Sequence, residues 1–102
     1  MITTWDKYIK SIIDKKDLYN LKTALKNNDF VYLYGTGLGK STLSSILIDA
    51  GYRVSEPGMF EYATGPNYIP DIEGLVTFKL KKKTLKDTFK GSKKEIIDWV
   101  NS

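Results

Sequence analysis

Apolar residues along this chain fall into short blocks, and the spacing inside each block names the element it builds. Trp5, Tyr8, Ile9, Ile12 and Ile13 recur every three or four positions, which predicts an amphipathic helix over residues 4–14 with one buried stripe. Thr3 is expected to cap it, with Asp6 in the acidic first turn. Leu18, Leu21 and Leu25 predict a second short helix from about Asp17 to Lys26. Asn27-Asn28 should stop it, because asparagine tolerates the left-handed backbone better than most residues. Phe30–Tyr34 is an unbroken apolar and aromatic run, the pattern of a buried strand. Helical spacing returns at Leu43, Ile46, Leu47 and Ala50, and Gly51 is placed to end that helix. Tyr52-Arg53-Val54 then reads as a second strand, parallel to the first through a right-handed crossover.

The second half is less regular. Residues 55–74 hold Pro57, Gly58, Gly65, Pro66, Pro70 and Gly74, which predicts a long irregular segment starting where a binding site belongs. Leu75–Lys81 alternates well enough for a third strand, with Lys79 and Lys81 exposed on one face. Thr84–Lys90 is expected to make a helical turn closed by Gly91. Ser92 and Glu95 have the spacing of a capping box, opening a terminal helix that carries Ile96, Ile97, Trp99 and Val100. No repeat and no low-complexity tract interrupts the chain.

The chemistry concentrates between the first strand and the helix after it. That junction reads Gly35-Thr36-Gly37-Leu38-Gly39-Lys40-Ser41-Thr42. Glycines without a Cβ let successive N–H groups turn inward on one anion, and the helix that follows adds its unpaired N–H groups and positive dipole end. Lys40 would set a cation on the β- and γ-phosphates of a nucleotide, and Ser41 would offer its hydroxyl to Mg²⁺. Thr42 is a second hydroxyl in the same turn.

On these residues the segment resembles the P-loop NTPase superfamily. Thr36-Gly37-Leu38-Gly39-Lys40-Ser41 is similar to the T-G-x-G-K-[ST] first motif of helicases, while Tyr34 stands where the strict Walker A pattern has glycine. The resemblance implies ATP or GTP with Mg²⁺, bound by Gly35, Thr36, Gly37, Leu38, Gly39, Lys40, Ser41 and Thr42, with Ser41 on the metal. It implies a small three-layer or two-layer P-loop-like α/β domain with a short, mainly parallel sheet. Residues 1–28 would be a helical N-terminal addition and 30–54 the strand, loop, helix and strand. Residues 55–74 would be a long loop and 75–102 a basic strand and helix. Gly51–Gly58 also resembles, more weakly, the second strand of nucleotide kinases, through Glu56-Pro57-Gly58.

Composition narrows the reaction. With 102 residues the chain is one domain, short for a complete P-loop NTPase. It has no cysteine and no histidine, so disulfides, thiolate metal sites and Ser-His-Asp or Cys-His catalysis are excluded. A hydrolysing P-loop protein needs an acid at the end of a neighbouring strand. Asp71 and Glu73 follow Pro70, which argues against a central strand. Asp98 is expected on a helix; Glu56 and Glu61 lie just past the second strand and could approach the phosphates, but read first as solvated loop carboxylates. Arg53 is the only arginine, so bidentate phosphate clamping is nearly absent. No catalytic residue can be named.

Charge adds a second candidate. Residues 1–78 carry eight Lys/Arg and nine Asp/Glu, whereas residues 79–102 carry eight lysines and three acids. Lys79, Lys81, Lys82, Lys83 and Lys86, with Phe78 and Phe89 interleaved, match a nucleic-acid surface that pairs cations with stacking rings. They equally match a solvated lysine face over buried rings, which is the slightly favoured reading. Trp5 and Tyr8 are expected in the core.

Three readings remain open, two of them favoured. One is a nucleotide-binding P-loop protein, a minimal NTPase acting with nucleic acid, its missing acid supplied by a partner or a second copy. The other is a non-enzymatic binding protein of phage or mobile-element type, docking onto a host or replication protein on a reduced P-loop scaffold. A nucleic-acid module whose glycine loop grips a backbone phosphate is a third, less favoured reading. The short apolar runs and the N-terminus, without a basic or long apolar stretch, predict a cytoplasmic chain with no membrane partner.

Overall fold

The computed structural model describes residues 4–35, 39–57, 67–86 and 88–102. Eight elements follow in order: α1 (Trp5–Ile12), a 3₁₀ turn (Lys15–Asp17), α2 (Leu18–Lys26), β1 (Phe30–Tyr34), α3 (Lys40–Asp49), β2 (Val54–Ser55), β3 (Leu75–Lys79) and α4 (Lys93–Val100). The domain is mixed α/β, with four helices and a short parallel sheet.

β1 is the central strand. It pairs in parallel with β2 through Val31↔Val54 and Tyr32↔Ser55, and with β3 from Phe30↔Leu75 to Tyr34↔Lys79. The strand order is β2-β1-β3, so the chain crosses to one side of β1 and then to the other. In open parallel sheets ligands bind outside the carboxyl ends of the strands.

Strand periodicity divides β1 cleanly. Val31 and Leu33 join one apolar cluster with Trp5, Ile9 and Ile12 of α1, Leu21 and Leu25 of α2, Leu43 and Leu47 of α3, and Ile96 and Val100 of α4. α4 packs against α1, α2 and α3, so the helices form a contiguous layer. Phe30, Tyr32 and Tyr34 point to the opposite face. Tyr32 is fully buried there without joining the main cluster, and Arg53 stacks over Phe30 at 5.4 Å.

Several local expectations are corrected. Thr4, not Thr3, caps α1, its Oγ1 accepting from Lys7 N at 3.3 Å; Thr3 lies outside the described residues. The capping box does not form. Ser92 makes no side-chain cap, and Glu95 instead accepts the Trp5 N–H at 3.2 Å, closing an orphan donor of α1 from across the fold. β2 lies at 54–55 rather than 52–54. β3 ends at Lys79, because Lys81 N turns away to the Ile12 carbonyl at 3.0 Å. No helical turn occurs among the described residues of 84–90; Thr84 N is held by Ser11 O at 3.2 Å instead. Asn28 (φ 60) and Gly51 (φ 101) do take the left-handed conformation after their helices.

Candidate functional site

Two glycines shape the junction between β1 and α3. Gly35 has φ +133, and a Cβ there would stand 2.8 Å from the Leu80 carbonyl oxygen. Leu80 N donates to Tyr34 O at 2.7 Å on the same spot. Only glycine lets the exits of β1 and β3 lie this close. Gly39, φ +112, is the residue before α3 and supplies no capping side chain. Gly39 therefore gives the first turn of this ten-residue helix no side-chain cap of its own, at the positive end of the dipole. No acid occupies that first turn.

Lys40 and Ser41 open the helix and reach in different directions. Lys40 is half-buried, and its Nζ donates to the Gly35 carbonyl at 2.7 Å, folding back toward the end of β1. Ser41 Oγ donates to Glu56 Oε1 at 2.8 Å. Glu56 directly follows β2, the parallel neighbour of β1. Its second oxygen is buried and has no hydrogen-bond partner among the described residues. A hydroxyl and a carboxylate thus meet at the carboxyl edge of the sheet, one coordination shell apart.

The opposite sheet face reaches the same place. Burial raises the Tyr32 hydroxyl pKa above the usual tyrosine value, and the acidic groups of Tyr68 and Glu56 nearby push it further up. Tyr32 thus lies within electrostatic reach of Glu56, the carboxylate that accepts from Ser41.

The remaining candidates are distributed as follows. Thr42 is exposed in the first turn of α3. Thr36, Gly37, Leu38 and Glu61 lie outside the described residues. Asp71 and Glu73 are exposed and belong to no strand, and Asp98 is on α4, bridged to Lys94 at 2.8 Å. Lys79, Lys82 and Lys86 are exposed, and Lys81 and Lys83 half-buried. Phe78 and Phe89 are both 5% exposed, so neither is a stacking platform. Trp5 and Tyr8 are core, Trp5 packing edge-on to Phe89 at 5.2 Å between ring centres.

Of the two loop carboxylates after β2 that the sequence offers, Glu56 is the one the described residues bring to Ser41. Its signal was an apolar residue leading to an acid, Val54-Ser55-Glu56, but the strand has only two residues and carries almost no periodicity. Among the described residues no group of three or more Asp, Glu, Cys or His forms a metal cage. Ser41 and Glu56 offer two hard oxygen donors, which suits Mg²⁺ held jointly by protein and phosphate. No protein-family model matches the chain, and no curated protein or solved structure matches it significantly.

Proposed function

We propose that this chain binds a nucleoside triphosphate, ATP or GTP, together with Mg²⁺, on a P-loop-like arrangement. The observation that carries the reading is the Ser41–Glu56 contact of 2.8 Å. It joins the second residue of α3 to an acid at the end of the strand beside β1, with Lys40 folded back onto the Gly35 carbonyl. In this reading the backbone from Gly35 to Gly39 and the open N–H groups of α3 cradle the phosphates. Lys40 exchanges the Gly35 carbonyl for phosphate oxygens. Ser41 and Glu56 exchange their mutual hydrogen bond for the cation, and the buried Glu56 oxygen gains the partner it lacks. The bound Mg²⁺ supplies charge neutralisation of the triphosphate.

A thermal melt tests this. Mg-ATP or Mg-GTP at a hundredfold over Kd adds about 2.7 kcal/mol of stability. For a domain of this size that is a shift on the order of 10–20 °C. The shift is expected in the wild type and strongly reduced in Lys40→Ala. No shift in either protein refutes the reading and leaves the loop as scaffold for a protein-docking function.

A further inference from the structure

The segment after β3 has a composition and an anchoring that the nucleotide site does not use. Residues 75–86 contain five lysines and no acid. Their backbone is pinned on both sides: Leu80 N to Tyr34 O at 2.7 Å, Lys81 N to Ile12 O at 3.0 Å and Thr84 N to Ser11 O at 3.2 Å. The lysines therefore project from a fixed track between β1 and the last turn of α1. Lys79, Lys82 and Lys86 are exposed along it. The ion pairs among the described residues are Lys10–Asp6 and Lys94–Asp98, so these three lysines are not neutralised by a described carboxylate.

We propose that this track binds the phosphate backbone of a nucleic acid, independently of base sequence. Charge selects a polyanion, and the apolar residues select which one. Phe78, Leu80 and Phe89 are buried and Leu85 is half-buried, so the track presents no fully exposed apolar side chain to insert into a bilayer. It has no exposed ring to read or stack bases and no arginine for bidentate base contacts. What remains is an array of ammonium groups on a rigid backbone, the sequence-indifferent part of nucleic-acid binding. The track leaves the sheet at Leu80, against Gly35, so a bound backbone would pass the mouth of the nucleotide site. The proposal does not require that site to bind nucleotide.

Fluorescence anisotropy with a labelled 20-nucleotide oligothymidine and a 20-base-pair duplex tests it on the full chain. About four phosphate contacts give a log–log salt slope of about −3 for the single strand and about −3.5 for the duplex. Affinity then falls on the order of 50- to 150-fold between 50 and 200 mM salt. The variant Lys79→Ala/Lys82→Ala/Lys86→Ala should lose at least tenfold affinity at 50 mM salt and flatten the slope by about 2–3. A charge-matched variant, Lys15→Ala/Lys16→Ala/Lys26→Ala, should stay within about threefold of wild type. Equal losses in the two triple variants would mean that net charge, not the track, does the binding, and would overturn the proposal. So would wild-type binding to phosphatidylserine vesicles without binding to either oligonucleotide. Unchanged melting curves for the track variant, expected because all three side chains are exposed, keep a loss of binding from being a loss of fold.

Discussion

Replacing Glu56 by glutamine separates a metal ligand from a structural hydrogen-bond partner. The amide keeps an oxygen that accepts from Ser41 Oγ, now at 2.8 Å, and removes the charge whose second oxygen is buried without a partner among the described residues. Unliganded stability should therefore stay within about 1 kcal/mol of wild type, on either side. The ligand response should not survive. Losing a charge-assisted contact costs about 1.5–3 kcal/mol, which weakens binding by roughly 13- to 160-fold. At a Mg-ATP concentration a hundredfold over the wild-type Kd, the gain of about 2.7 kcal/mol falls to about 0.3–1.3 kcal/mol. The variant's melting shift should thus be less than half that of wild type. Differential scanning fluorimetry with Mg-ATP, and with ATP plus EDTA, reads both quantities. With the metal chelated, wild type and Glu56→Gln should respond alike. A full Mg-ATP shift in Glu56→Gln would refute the assignment of Glu56 to the cation, and a collapse of unliganded stability would make the residue structural.

Other positions give independent checks. Gly35→Ala should destabilise by about 2–4 kcal/mol in urea unfolding, since its Cβ would meet backbone at 2.8 Å at a φ of +133. Gly51→Ala, with φ +101 and open space around it, should cost only about 1–2 kcal/mol. Glu95→Ala should lose about 1 kcal/mol by uncapping Trp5 N, whereas Ser92→Ala should change stability by less than about 0.5 kcal/mol. Burial pushes the Tyr8 hydroxyl up to about 12. The native state thus holds its proton where the unfolded chain has lost it, and stability that is complete below pH 10 is lost as pH rises toward 12. Tyr8→Phe should remove a loss on the order of 2–3 kcal/mol across that window, visible as a smaller drop in urea midpoint between pH 9 and pH 11.5.

Local periodicity carried most of the secondary structure. β1, α3 and the glycines between them were legible because a strand run, a φ-permissive loop and a helical stripe follow without a gap. The failures share a cause, which is a tertiary partner outcompeting a local one. Glu95 has the spacing to cap its own helix, yet the unpaired Trp5 N–H takes its carboxylate. Lys81 alternates as strand, but the last-turn carbonyls of α1 capture the backbone from Lys81 to Thr84. Phe78 and Phe89, interleaved with lysines, are buried as the slightly favoured solvated-face reading expects, Phe89 packing against Trp5 and Tyr8. Glu56 meets Ser41 only because β2 pairs with β1, a contact 15 residues long in sequence that a two-residue strand does not announce.

Isothermal titration of the wild-type chain with Mg-ATP and with Mg-GTP, repeated on Lys40→Ala, tests the nucleotide site most directly. One triphosphate per chain for at least one of the two nucleotides, with affinity reduced on the order of 10- to 100-fold by the substitution, is the predicted result. No binding of either nucleotide at millimolar concentration, or equal binding by wild type and Lys40→Ala, would contradict it.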